Sequence, residues 1–459
     1  MSCIISAPAT DNGKTTLSLL ISCWAFSKGL QLQTFKVGPD YLDQQQLSSV
    51  GHPACRNLDI FLSGTDWVKN TFNRYSVKSD LALVEGAMGL FDGLGSTQRA
   101  STANVAKVLN LPIIFIVDAK GQVASLLALI KGFKELDKDL NLKGVVFNNV
   151  NSLRHRSLIK EVFKYEDIKI IGFLPSDIRI SLKKGNLGLI SPKEICEKRD
   201  VNYFAEIANR NLDTSFLLSL LKAKKKDINI KTKKLNFKIN KNKPIAIADD
   251  KIFHFQYPET REFLNEIGIP TLSWDIFNDS EIPKEARAII IPGGFPERYS
   301  SHISSSKKSL NSLREFQKTG LIYAECGGMM ILGNSIKDEG GHLHKMAGIL
   351  PYKFRKGKLT VGYRYIKGLK DSLLIKKNQK ARGHEFHYWQ IETSANELNN
   401  TETGLINQLN NPWKTKFWGE KYQNEGWSTK NIHASWVHIH LPSNDKVSEN
   451  FIKSLQNIN

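Results

Sequence analysis

The sequence predicts an α/β protein of two domains, each with a mostly parallel sheet. Three observations predict it. Short apolar runs alternate with segments of helical period: Pro112-Ile-Ile-Phe-Ile-Val and Gly144-Val-Val-Phe in the first part, Ile245-Ala-Ile-Ala and Ala288-Ile-Ile-Ile in the second. The chain has 459 residues, more than one hydrophobic core usually organises. Between the halves, residues 222–243 hold ten lysines against one aspartate and show little apolar periodicity, the composition of a solvated linker. These boundaries give a first domain over 1–195, a basic linker region over 196–243 and a second domain over 244–459. In such folds ligands bind beyond the carboxyl ends of the strands, so the loops there are read first.

The first strand, from Cys3, runs into Pro8-Ala-Thr-Asp-Asn-Gly13-Lys14-Thr15-Thr16 and then an apolar helical pattern to about Phe26. Strand, loop, Gly-Lys-Thr, helix is an arrangement that cradles phosphate. Backbone N–H groups and the helix start receive the anion, Lys14 neutralises charge, and the Thr15 hydroxyl can ligate magnesium, with Gly13 and Thr16 completing the nucleotide-binding set. The full Walker spacing wants glycine at position 8, which is proline. Asp11 and Asn12 also stand where glycine is commoner, and both residue types tolerate positive φ better than most.

Two further loops carry acids. Thr34-Phe-Lys36-Val-Gly-Pro-Asp40-Tyr-Leu-Asp43 and Leu81-Ala-Leu-Val-Glu85-Gly-Ala-Met-Gly-Leu-Phe-Asp92-Gly both follow strands. Carboxylates beside a phosphate loop suit Mg²⁺ held with phosphate oxygens, which points to Asp40 and Glu85 together with Thr15. The plainer reading is helix N-caps in solvated loops; the bracketing glycines argue against it.

In the second domain, Leu321-Ile-Tyr-Ala-Glu-Cys326-Gly-Gly-Met-Met-Ile is an apolar strand running through a cysteine and two glycines into a helical pattern. A bent elbow of this kind lifts the thiol clear of the sheet and lets a substrate approach. A buried structural cysteine would be the plainer reading. Upstream, Ala288-Ile-Ile-Ile-Pro-Gly293-Gly294-Phe-Pro-Glu297 can aim the Gly294 N–H, with that of Gly327, at a developing oxyanion. Downstream, Ala434-Ser-Trp-Val-His438-Ile-His440 offers His438 as a base on a short strand. Cysteine, distant histidine and oxyanion loop together describe acyl transfer through a thioester.

At this point the second domain resembles a triad-type, class I glutamine amidotransferase of the branch serving corrinoid amidation, on its Gly-Gly-Phe-Pro-Glu, Glu-Cys-Gly-Gly and His-x-His segments. In many triad glutaminases a glutamate stands two residues after the histidine. Here that position is His440, so the third member is absent or replaced. The first domain resembles the ATP-dependent amidoligase domain of the cobyrinic acid a,c-diamide synthase family, a relative of dethiobiotin synthetase, on Lys-Val-Gly-Pro-Asp-Tyr, Asn57-Leu-Asp59 and Val-Glu-Gly-Ala-Met-Gly-Leu-Phe-Asp-Gly. The resemblance covers nearly the whole chain. It implies Asn148 near adenine, and Asp43 and Asp92 orienting substrate or nucleotide. Asn186 stands where relatives carry histidine, and no role transfers to it. The implied substrates are cobyrinate, ATP, and glutamine or ammonia, with Mg²⁺ as cofactor and a protected path for ammonia between domains. Cobyric acid synthase and a nickel-sirohydrochlorin diamidase share the features quoted, and a homodimer is left open.

Composition narrows the field further. The net charge of +19 invites a nucleic-acid partner, but the lysine-rich stretch has no interleaved aromatics for base stacking, so none is expected. A basic surface would also draw in a polycarboxylate substrate. A partitioning-type ATPase would explain Gly-Lys-Thr-Thr but has no use for the cysteine elbow. No apolar run is long enough for a membrane span, the nucleotide-binding strand begins at once, and five scattered cysteines suit a reducing cytoplasm. Finally, Arg382-Gly-His384-Glu-Phe-His387 looks like a zinc-binding helix, but its histidines lie three apart where the metal motif needs four. A strand or loop with a substrate or packing role fits better.

Overall fold

The computed structural model describes residues 2–182, 200–223, 243–392 and 410–456. The chain divides into two compact units, Met1–Thr232 and Lys233–Asn459. Asn186 and most of the lysine-rich stretch lie outside the described residues.

The first unit is built on seven strands: β1 (Cys3–Ser6), β2 (Leu32–Val37), β3 (Arg56–Leu58), β4 (Leu81–Glu85), β5 (Ile113–Asp118), β6 (Leu142–Asn148) and β7 (Lys169–Phe173). They pair in the order β3-β2-β4-β1-β5-β6-β7, every pairing parallel. Sheets of this kind are covered on both faces, which is why the central strands β1, β4 and β5 are almost wholly apolar. The central β1 places its outgoing loop between those of β4 and β5, so the phosphate loop sits at the middle of the sheet edge. The helix Lys14–Ser27 follows that loop and buries Leu17, Leu20, Ile21 and Trp24.

Part of the region expected as linker, 196–243, is helical and belongs to the first unit. Residues 201–211 and 214–221 form two helices whose Phe204, Ala205, Ala208, Leu217 and Leu221 join the core of the first unit. Burial of that apolar stripe outweighs the charged flanks.

The second unit continues with β8 (Ile245–Ala248), β9 (Thr271–Trp274), β10 (Ala288–Ile291) and β11 (Leu321–Glu325). Then come β12 (Ser335–Lys337), β13 (Leu343–Lys345), β14 (Lys353–Gly368), β15 (Lys380–Ile391), β16 (Trp413–Lys416), β17 (Gln423–Glu425), β18 (Trp427–Ser428) and β19 (Ile432–Ser435). One sheet runs β18-β19-β11-β10-β8-β9, parallel except for β18. Its strands alternate strictly between two cores: Ala246, Ile289, Ile291, Ile322 and Ala324 face one, and Ile245, Ile247, Ile290, Leu321 and Tyr323 the other. A second, largely antiparallel sheet is organised by the long β14–β15 pair, an element the expectation of parallel sheets did not include. His384 and His387 lie on β15, so the strand alternative to a zinc helix holds.

Candidate active site

In the first unit the loop after β1 folds into a cradle. Asp11 has φ 63° and Gly13 φ 105°, turning the chain sharply before the helix. Asn12 plays a different part from the one its residue type suggested. Its amide donates to the Ala9 and Thr10 carbonyls at 3.2 and 3.1 Å and its Oδ1 accepts from Asp118 N–H at 3.0 Å, bracing the loop. Asn148, at the end of β6, donates to the Asn12 carbonyl at 3.0 Å. A Cβ at position 13 would come within 2.6 Å of that Asn148 amide, so glycine is required there by space as well as by φ. Thr15 and Thr16 occupy the first turn of the following helix.

Lys14 curls over the loop, its ammonium 2.9 Å from the Ala9 carbonyl. Burial first, and then the charge of Lys36, push its pKa down to about 8. Thr15 donates to Glu85 Oε1 at 2.8 Å, which brings two of the expected magnesium ligands together. The third, Asp40, caps the helix Tyr41–Ser48 through the Leu42 and Asp43 amides. It lies across Lys36, whose ammonium is 3.8 Å from Asp40, 2.6 Å from Asp43 and 2.7 Å from Glu85. Burial works against the charge of Lys36, but Asp43, Glu85 and Asp40 outweigh it and hold the lysine well above its usual range. Asp43 is likewise kept ionised: burial opposes it, and Lys36 overrides burial. For Glu85 burial wins and raises the carboxyl despite Lys36. Asp92 accepts from Gly89 N–H at 3.0 Å, in a turn where a Cβ on Gly89 would meet the Pro8 carbonyl at 2.5 Å. The acid loop therefore packs directly on the phosphate loop.

Among the described residues no group of three or more His, Cys, Asp or Glu side chains is arranged to hold a metal ion by itself. Mg²⁺ asks for less, one or two carboxylates plus phosphate oxygens. Glu85 Oε2 is buried and accepts no hydrogen bond, a donor atom of the right kind beside the Thr15 hydroxyl.

In the second unit Cys326 closes β11 with φ 48° and ψ −109° and starts the helix Gly327–Leu332. A non-glycine residue held there is strained, and the strain is fixed by Cys326 N–H donating to the Ser435 carbonyl at 2.7 Å. The thiol faces the Phe386 carbonyl of β15 at 3.6 Å. Burial, and then the charge of Glu297, push it well above the usual thiol range, so it needs a base to become a nucleophile.

The Gly-Gly turn stands against this elbow. A Cβ on Gly327 would lie 3.1 Å from Gly294 N, and one on Gly294 would fall 1.8 Å from the Ile252 carbonyl. The two amides expected to form the oxyanion hole are thus neighbours, and both positions exclude a side chain. Gly293 meets His438 on the same side, with its Cβ position 2.4 Å from His438 Cε1.

His438 is fully buried, three residues beyond the end of β19 and not on the strand itself. Its backbone is instead clamped to His384 of β15 by two hydrogen bonds of 2.7 and 3.0 Å. The ring's Nδ1 is 3.3 Å from Glu325 Oε2. His440 turns elsewhere, its Nδ1 2.8 Å from Ser443 Oγ and its ring edge-on to Tyr257. His387 stacks on Trp436 at 4.0 Å and bonds the Trp389 carbonyl.

The structure therefore gathers Gly13, Lys14, Thr15, Asp40, Asp43, Glu85 and Asn148 around one loop, and Gly294, Cys326, Gly327 and His438 around another. Two residues of evident weight were quoted in the sequence without a role. Lys36 showed only as a lysine inside an acidic loop, and Glu325 only as the residue before the cysteine.

Residues 3–187 match a CobQ/CobB/MinD/ParA nucleotide binding domain, and residues 244–446 a CobB/CobQ-like glutamine amidotransferase domain. Over 449 residues the chain is 34% identical to cobyrinate a,c-diamide synthase of Caldanaerobacter subterraneus subsp. tengcongensis, covering 95% of this chain and 94% of that one. The chain belongs to the cobyrinate a,c-diamide synthase family. A family member of the same name from Synechococcus is 33% identical over 99% of this chain and 98% of its own, and one from Picrophilus torridus 33% identical over 100% and 99%. No described helix is long and apolar enough to cross a membrane.

Proposed function

We propose that this chain is an ATP-dependent, glutamine-hydrolysing ligase that amidates the a and c carboxylates of cobyrinate. The observation that carries the reading is the occurrence, in one chain of this family, of a strained cysteine elbow facing a glycine turn and a Gly-Lys-Thr cradle lined with acids.

In the glutaminase half, His438 takes the Cys326 proton and the thiolate attacks the glutamine amide carbon. The Gly294 and Gly327 amides stabilise the oxyanion. The proton held by His438 passes to the departing nitrogen, ammonia leaves, and water deprotonated by His438 hydrolyses the thioester to glutamate. In the synthetase half, the cradle and Lys14 hold the nucleotide phosphates, with Asn148 near adenine. A corrin carboxylate oxygen takes the γ-phosphoryl group of ATP and ADP is released. Ammonia then attacks the acyl carbon, and phosphate leaves. Asp43 and Asp92 orient the reactants; Lys36, anchored by Asp43 and Glu85, places a further positive charge beside the phosphates. Mg²⁺ would be held by Thr15, Glu85 and Asp40, and when bound it neutralises phosphate charge. Two rounds give the diamide through a monoamide. The need for ATP and glutamine suits a cytoplasmic enzyme.

The test is mass spectrometry of the product formed from cobyrinate, ATP and glutamine. Two added amides, preceded by a monoamide, are expected. Four amides added to an already diamidated corrinoid, or turnover confined to a nickel tetrapyrrole, would replace this reading.

A further inference from the structure

We infer that Glu325 is the carboxylate that orients His438, filling from the nucleophile's own strand the role that His440 cannot fill. The inference rests on the glutaminase reading above. Glu325 ends β11 immediately before Cys326, so acid and nucleophile are set by the same backbone bend. Its Oε2 is 3.3 Å from His438 Nδ1. Its Oε1 accepts the Ile439 N–H at 2.9 Å and the Tyr323 hydroxyl. Donors on both oxygens, from β11 and from the His438 segment, leave the carboxylate one orientation. Tyr323 remains a donor, because burial and then Glu325 hold its hydroxyl well above the usual range.

A carboxylate at Nδ1 places the imidazole proton there. Nε2 is then the basic nitrogen, able to take the Cys326 proton and return it to the leaving ammonia, while the carboxylate stabilises the transient imidazolium. The other ionisable groups packed about this pair offer no substitute. His384 is held neutral by burial and then by the charges of His438 and Arg364. Burial pushes His440 down to about 3. Glu385 is paired with Arg364, a buried couple on β15 and β14. Glu297 lies on the glycine-turn side, where its charge acts on the thiol.

Glutaminase activity of the full chain tests this. Glu325→Gln keeps the shape and removes the charge. It should lower kcat about a hundredfold with little change in the glutamine KM. The acid limb of the kcat/KM profile should move to lower pH, since the imidazolium has lost its stabilising neighbour. Glu325→Asp should recover part of kcat, and Tyr323→Phe should cost only a few-fold. Wild-type kcat and pH profile in Glu325→Gln would overturn the inference. So would a loss of kcat with an unmoved acid limb and no recovery by aspartate, which is the signature of packing alone. If Cys326→Ala still hydrolyses glutamine, the glutaminase reading itself fails, a result independent of Glu325.

Discussion

In the first unit the reactive side chains are held by charge: one buried ammonium, Lys36, spans Asp40, Asp43 and Glu85. In the second they are held by the main chain. Cys326 is bent to φ 48°, His438 is clamped through its own peptide to His384, and three glycines press around them with no room for a Cβ. The contrast suits the chemistry proposed for each site. Phosphoryl transfer moves dense negative charge and is served by compensated ions, whereas thioester chemistry depends on placing one sulfur against two amides. A charge network tolerates side-chain adjustment; a strained backbone does not.

Single changes can break this comparison at either end. The largest effect is expected from Cys326→Ala, which should abolish glutamine-dependent amidation and leave synthesis from high ammonium largely intact, measured as amide product per ATP. Loss of both reactions in a folded variant would show that the two halves are not separable. Lys14→Ala should stop amidation from both nitrogen sources by about two to four orders of magnitude, because both pass through the acyl phosphate; near-normal ammonia-driven turnover would place ATP elsewhere. Lys36→Met strands three carboxylates and should cost about 3–5 kcal/mol in urea unfolding. Without the ammonium their folded-state pKa values exceed the unfolded ones, so stability present at low pH is lost as pH rises. The deficit should therefore widen from about pH 5 to about pH 8. Gly294→Ala, whose Cβ would fall 1.8 Å from the Ile252 carbonyl, should cut glutaminase kcat about a hundredfold; unchanged kcat would remove this amide from the oxyanion site. The smallest effect belongs to His440→Ala, a few-fold at most, since its ring is committed to Ser443 and Tyr257.

Both parallel sheets could be read from the sequence because their central strands, among them β1, β5, β8 and β10, are short apolar runs, and the glycine loops follow several of them directly. The β14–β15 pair could not. Its strands alternate lysine, arginine and aromatic residues, and such alternation gains meaning only once a covering partner is known. The helices at 201–221 carry no lysine and have an apolar stripe of their own, but they directly precede the lysine-rich stretch and were grouped with it. Cys326 and the phosphate loop were visible as motifs. Lys36 joins the nearby Asp40 and Asp43 to Glu85, 49 residues away, and Glu325 meets His438 at a separation of 113; no spacing rule spans the longer distances.

Gly293 carries one last consequence. Its Cβ position lies 2.4 Å from His438 Cε1 and 3.1 Å from Phe255, so the imidazole rests flush on bare main chain. A single methyl there would act as a wedge under the ring, tilting it without touching either the thiol or the glutamine. Gly293 thus contributes through the volume it leaves unfilled beneath the imidazole.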